Sequence, residues 1–170
     1  MTDLDKTTTP ELQVRAANVE DAATILQFIT ELAIFEKAEN EVLTSVEMIK
    51  HTLFSADVKA HALICERAGE AIGFAVYFYN YSTWLGKYGL YLEDLYITPD
   101  ARRSGAGKAM FKALANIAVA NNCGRFEWSV LDWNTHAITF YQALHAQEKT
   151  EWLGYRLTEP QIKALAEQAD

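Results

Sequence analysis

The stretch PDARRSGAGKAM, Pro99–Met110, places two arginines, a serine and two glycines directly before an apolar run. Gly105 and Gly107 let the backbone approach another group closely. The run from Lys108 onward reads as helix, so the glycines fall where a helix's unpaired N–H groups point outward, an arrangement suited to an anion. Arg102, Arg103 and Lys108 add positive charge, and the arginines can fork onto phosphate oxygens. A P-loop would need glycine at 102 and a hydroxyl at 109, where Arg102 and Ala109 stand. A dinucleotide fingerprint would need a third glycine at 110, where Met110 stands. What remains is R-x-x-G-x-G, Arg102 to Gly107. Taken alone, that pattern fits an anion site and a solvated tight turn about equally well.

A second chemical signal precedes it. In LYLEDLYI, Leu90–Ile97, regular alternation sends Leu90, Leu92, Asp94 and Tyr96 to one face and Tyr91, Glu93, Leu95 and Ile97 to the other. Each face then carries one acid among apolar neighbours, which favours a functional role over a surface ion pair. The two acids share a pocket only if the strand carries a bulge. Further on, NTHAITFY offers Asn134, Phe140 and Tyr141, which read equally as a helix cap and two core aromatics. His51, His61, His136 and His145 form no metal-ligand spacing with cysteine or acid support, so no metal site is expected.

These residues need elements to hold them. The 170-residue chain is half hydrophobic and 22 % charged, which suits one globular domain. A net charge of −8 argues against a sequence-independent grip on nucleic acid. Cys65 and Cys123 lie in an apolar run and a turn, so reduced thiols in a cytoplasmic protein are expected. The N-terminus lacks the basic-then-apolar order of a signal peptide, and no apolar run reaches spanning length.

Residues 1–10 read as a flexible arm and 11–170 as a single domain. LQVRAA gives a first strand, and Asn18 with Asp21 caps a helix whose buried face is Ile25, Phe28, Ile29 and Leu32. Thr44 with Glu47 caps a second helix over Val46–Phe54. HALICE, the turn RAGE and AIGFAVYFY make a hairpin. The loop NYSTWLGKYG leads to LYLEDLYI. A helix to about Asn121, a strand Arg125–Val130, a helix Ala137–His145, and a strand and helix in the tail complete the order. The expectation is a mixed, mostly antiparallel α/β sheet with helices on both faces.

Several segments together carry a resemblance: ITELAIFEKAE, WLGKYGLYLEDLYI, the R-x-x-G-x-G turn, DWNTHAITFY and GYRL, in this order. The chain resembles the GNAT superfamily of N-acetyltransferases, and within it the spermidine/spermine acetyltransferase family. The resemblance implies the GNAT fold and acetyl-CoA as cosubstrate. It places the coenzyme's pyrophosphate at Arg102, Arg103 and the amides of Ser104, Gly105, Ala106, Gly107 and Lys108. It places the pantetheine arm along Leu95, Tyr96 and Ile97, with the Leu95 amide polarising the thioester, and adds Asn134 and Phe140 as coenzyme contacts. Glu93 would accept the amine's proton, and Tyr141 would protonate the leaving thiolate. Glu36, Phe35, Trp84 and Asp94 would face a small cationic amine: a polyamine, a diamine or a thialysine-like amino acid. Leu153 and Gly154 stand where the family has a further acid, which brings the smaller amines forward. A homodimer is implied. Transfer to protein amines, or acetyl-CoA sensing without turnover, are the alternatives.

Overall fold

The computed structural model describes residues 11–168, so the expected arm at 1–10 lies outside the described residues. The chain divides into two compact units, one ending at Ser129 and one beginning at Val130. The first contains strand β1 (Leu12–Ala16), helices α1 (Ala22–Glu36) and α2 (Val46–Phe54), and strands β2 (Ala60–Arg67), β3 (Glu70–Ser82) and β4 (Lys87–Ile97). Helix α3 (Ala106–Ala120) and strand β5 (Phe126–Trp128) complete it. The sheet runs β1-β2-β3-β4-β5. Its first four strands are antiparallel, and β5 lies parallel to β4. The parallel pair follows from the crossover through α3, since two parallel neighbours cannot be joined by a tight turn.

Local chemistry explains the elements. Asn18 Oδ1 accepts from the Glu20 N–H, and the Asn18 N–H donates to Asp21, so a 3-10 turn at Val19–Asp21 feeds α1. The β2–β3 hairpin closes on Ala68 and Gly69, with φ of 55° and 81°. Two successive positive-φ residues match the strand twist. Ile25, Phe28 and Ile49 of α1 and α2 pack on Ile64, Phe74 and Tyr96 of one sheet face. The Phe28 ring lies 5.9 Å from Phe74 and 6.0 Å from Tyr96. On the other face, Phe111 of α3 meets Phe126 and Trp128 at 5.4 and 5.0 Å, beside fully buried Met110 and Leu114.

The second unit holds α4 (Thr135–Ala143) and α5 (Glu159–Ala166). Asn134 caps α4, accepting from the Ala137 N–H at 3.2 Å. The Thr158 N–H donates to Gln161 at the start of α5.

Four local expectations need correction. Ser45, not Thr44, caps α2, through the Met48 N–H. Most of NYSTWLGKYG is strand, leaving only residues 83–86 as turn, because Tyr81 and Ser82 pair with Tyr88 and Lys87. The strand expected at Arg125–Val130 contracts to three residues, since β5 follows β4 only from Leu90 to Leu92. The tail residues around GYRL form no strand. No strand pairs with them among the described residues, and Tyr155 is 92 % exposed.

Candidate active site

The turn before α3 is built to present backbone N–H groups. Pro99–Ala101 forms a 3-10 turn, and the Arg102 N–H bonds Thr98 O. The Ser104 hydroxyl donates to Ala101 O at 2.7 Å and closes the loop. Arg103 and Gly105 have φ of 64° and 92°, which turns neighbouring amides toward one side. The first ladder bond of α3 runs from Ala109 N–H to Gly105 O, so the amides of Ala106, Gly107 and Lys108 precede the ladder. Arg103, Ser104 and Lys108 are exposed beside them. This concavity can hold a phosphate. Arg102 points its guanidinium elsewhere: Nε donates to Ile97 O at 3.1 Å, and Cζ lies 5.1 Å from the Phe35 ring centre. The expected fork from Arg102 onto phosphate is therefore not prepared in this structure.

The end of β4 is open on one side. Leu90 N–H bonds Arg125 O on the β5 side, whereas Thr98 N–H bonds Ile72 O on the β3 side. β5 stops at Trp128, opposite Leu92. Counting back from Thr98, the N–H groups of Ile97 and Leu95 point away from β3, past the end of β5. They are free of a sheet ladder, and an extended amide-bearing ligand arm can pair with them as a strand would. A donor in the Leu95 position, aimed at a carbonyl oxygen gaining charge, is worth about 3–4 kcal/mol in such reactions.

Counting forward from Leu90 gives a different parity, and the mismatch locates a bulge. Val76 pairs with Asp94 and Tyr77 with Leu92, which leaves Glu93 as the extra residue of β4. Beyond it the faces exchange. Asp94 and Tyr96 lie on the α1 side, whereas Leu90 and Leu92 lie on the α3 side. The expected grouping of Leu90, Leu92, Asp94 and Tyr96 on one face is thus corrected. Glu93 is exposed and Asp94 half-buried. Burial, with the charges of Glu93 and then Glu36 nearby, pushes the Asp94 carboxyl up to about 6. Burial also raises Glu36, the last residue of α1. Three acids from two elements therefore share one electrostatic neighbourhood.

Other expected residues lie apart or are described in their own unit. Phe35 is in the last turn of α1, beneath Arg102. Trp84 occupies the β3–β4 turn, 90 % exposed. From Lys87 to Asp94 alone the strand covers about 20 Å at ~3.3 Å per residue, so Trp84 does not join these acids within the chain. In the second unit Phe140 and Tyr141 are ring neighbours at 5.6 Å on α4, and burial raises the Tyr141 phenol. Among the described residues no group of three His, Cys, Asp or Glu side chains is placed to hold a metal. None of their helices is long and apolar enough to cross a membrane.

Comparison with known proteins gives concordant findings. The model of the acetyltransferase (GNAT) family matches residues 26–146. The thialysine N-epsilon-acetyltransferase of Mus musculus is 35 % identical over 165 residues, covering 91 % of this chain and 96 % of its own. The L-ornithine N5-acetyltransferase of Arabidopsis thaliana is 43 % identical over 93 residues, covering 55 % of this chain and 41 % of its own. Among solved structures, an integron cassette protein from the mobile metagenome of V. cholerae superposes with a TM-score of 0.78. It is 22 % identical and covers 92 % of this chain and 98 % of its own, a likeness of fold.

Proposed function

The chain belongs to the acetyltransferase (GNAT) family, and from that premise we propose that it transfers acetyl from acetyl-CoA to a primary amine of a small cationic substrate. The observation that carries the substrate class is the bulge at Glu93, which brings Asp94 to the face shared with Glu36. Thialysine and ornithine, named in the relatives, each pair a side-chain amine with other charged groups. Polyamines and diamines fit the same chemistry.

In this reading the amides of Ser104–Lys108 hold the pyrophosphate, with Arg103 and Lys108 adding charge. The open edge at Leu95 and Ile97, with Tyr96 between them, takes the pantetheine arm, and the Leu95 N–H stabilises the oxyanion. The substrate arrives as an ammonium of pKa about 10.4 and must lose a proton before its nitrogen attacks the thioester carbon. Glu93 and Asp94 are the acceptors. Asp94, at about 6, is better matched to holding that proton near neutrality than an ordinary carboxylate. Glu36 holds a second positive charge. Tyr141 supplies the thiolate's proton, because its raised phenol stays protonated at neutral pH. Asn134 and Phe140 complete the coenzyme contacts.

Residues 11–170 act as one domain, supported by a family match that crosses the boundary at Ser129. The setting is cytoplasmic, consistent with free Cys65 and Cys123. A homodimer is supported by exposed apolar side chains at Trp84, Leu85, Trp152, Leu153 and Tyr155. Coenzyme A release tests the whole reading with spermidine, a short diamine, lysine, thialysine, a monoamine and a peptide N-terminus. Release with the small dications supports it. Release with the peptide alone, or with no amine, overturns it.

A further inference from the structure

Arg102 opens the R-x-x-G-x-G pattern, yet its side chain turns away from the amides that follow it. Its Nε donates to Ile97 O at 3.1 Å, on the open edge of β4. Its guanidinium carbon lies 5.1 Å from the Phe35 ring centre and 5.8 Å from that of Tyr96. Burial raises the Tyr96 phenol, as does Glu31, a second residue of α1 close to it, while nearby Arg102 opposes the rise. Phe35 directly precedes Glu36 in the last turn of that helix. One planar cation thus ties the end of β4 to the helix turn that carries the outlying acid. A guanidinium can stack on a ring and donate in its own plane at once, which a lysine ammonium cannot.

We propose that Arg102 is a positioning residue for the amine site: it fixes the last turn of α1, and with it Glu36, against β4, and does not neutralise the coenzyme's phosphates. The inference rests on the amine-transfer reading above. It separates two quantities that the motif alone would join. Losing Arg102 disturbs the placement of a substrate acid and leaves the phosphate-holding amides as they are.

The experiment compares wild type with Arg102→Met, Arg102→Lys and Phe35→Leu. Melting temperature confirms folding, titration calorimetry gives the acetyl-CoA Kd, and steady-state kinetics give KM for a diamine and a monoamine. Arg102→Met is expected to raise the diamine KM by about 5–20-fold, leaving the acetyl-CoA Kd within about threefold. Its preference for the diamine over the monoamine falls. Arg102→Lys recovers part of that loss, because the charge returns without the fork. Phe35→Leu moves the diamine KM in the same direction with Arg102 intact, and it decides the matter if Arg102→Met fails to fold. An acetyl-CoA Kd weakened about tenfold or more in Arg102→Met, with diamine KM unchanged, makes Arg102 a phosphate ligand and overturns the proposal. No change in either quantity overturns it too. If wild type acetylates no amine, the functional reading falls by itself, and the inference about the amine site falls with it; the acetyl-CoA Kd of Arg102→Met still reports whether Arg102 binds phosphate.

Discussion

In the proposed function Asp94 both opposes stability and serves chemistry. Its carboxyl ordinarily titrates near 3.9 and is pushed up to about 6 in the fold. Between those values the folded state binds more protons than the unfolded chain, so stability falls as pH rises through that window and the whole cost is present above about 6. Asp94→Asn is therefore expected to raise the melting temperature at pH 8, by a few degrees for a gain of about 1–3 kcal/mol, and to change little at pH 4. The same substitution should remove the acid limb of kcat/KM near pH 6. A melting temperature that rises equally at both pH values would detach the effect from titration. Tyr141→Phe tests the proton donor. Turnover should drop about 10²–10⁴-fold with acetyl-CoA affinity kept, and a change below twofold would return Tyr141 to a packing role.

At the level of elements, the turn before α3 was readable because two glycines ahead of an apolar run mark a loop entering a helix. Gly105 takes φ of 92°, and the amides that precede the α3 ladder follow it. Gly105→Glu puts a side chain into a left-handed conformation and a negative charge where an anion should bind. Acetyl-CoA is expected to raise the wild-type melting temperature and not that of the variant. An equal rise in both removes the turn from the site. The bulge was less readable. Periodicity assumes one residue per step, and only the adjacent acids Glu93 and Asp94, awkward in a regular strand, hinted at the insertion. The direction of Arg102 was not readable at all, since the motif names the residue and the nearer of the two rings that receive it belongs to Phe35, far away in sequence. The tail strand failed because an apolar alternation becomes a strand only with a partner to pair with.

Across the whole molecule, charge is distributed with two purposes. Arg15 of β1 bonds Asp21 at 2.7 Å and Glu66 of β2 at 2.8 Å, tying the first strand and the start of α1 to the sheet. The Arg15 guanidinium holds the Asp21 carboxyl below its usual range. A depressed carboxylate contributes stability that is present above its unfolded pKa of about 3.9 and disappears as pH falls through its folded value. Arg15→Met should cost about 1–2 kcal/mol near pH 7, and in urea melts the gap from wild type should narrow as pH falls through the lowered Asp21 titration. Glu127 pairs with Arg125 at 2.8 Å and Asp100 with Arg67 at 3.5 Å, yet acids remain in excess, 23 against 15 lysines and arginines. With a net charge of −8, they favour a cation at long range and concentrate that preference where Glu36, Glu93 and Asp94 meet.

The most direct measurement is the ratio of kcat/KM for a diamine to that for a monoamine of equal length, at low and high salt, in wild type and Glu36→Gln. The acidic neighbourhood predicts a ratio well above one at low salt. It should shrink as screening tightens from about 10 Å at 0.1 M ionic strength toward ~3 Å at 1 M, and shrink again in Glu36→Gln with turnover retained. A ratio of one at low salt, or one indifferent to both salt and Glu36, would contradict the claim that these acids select the substrate.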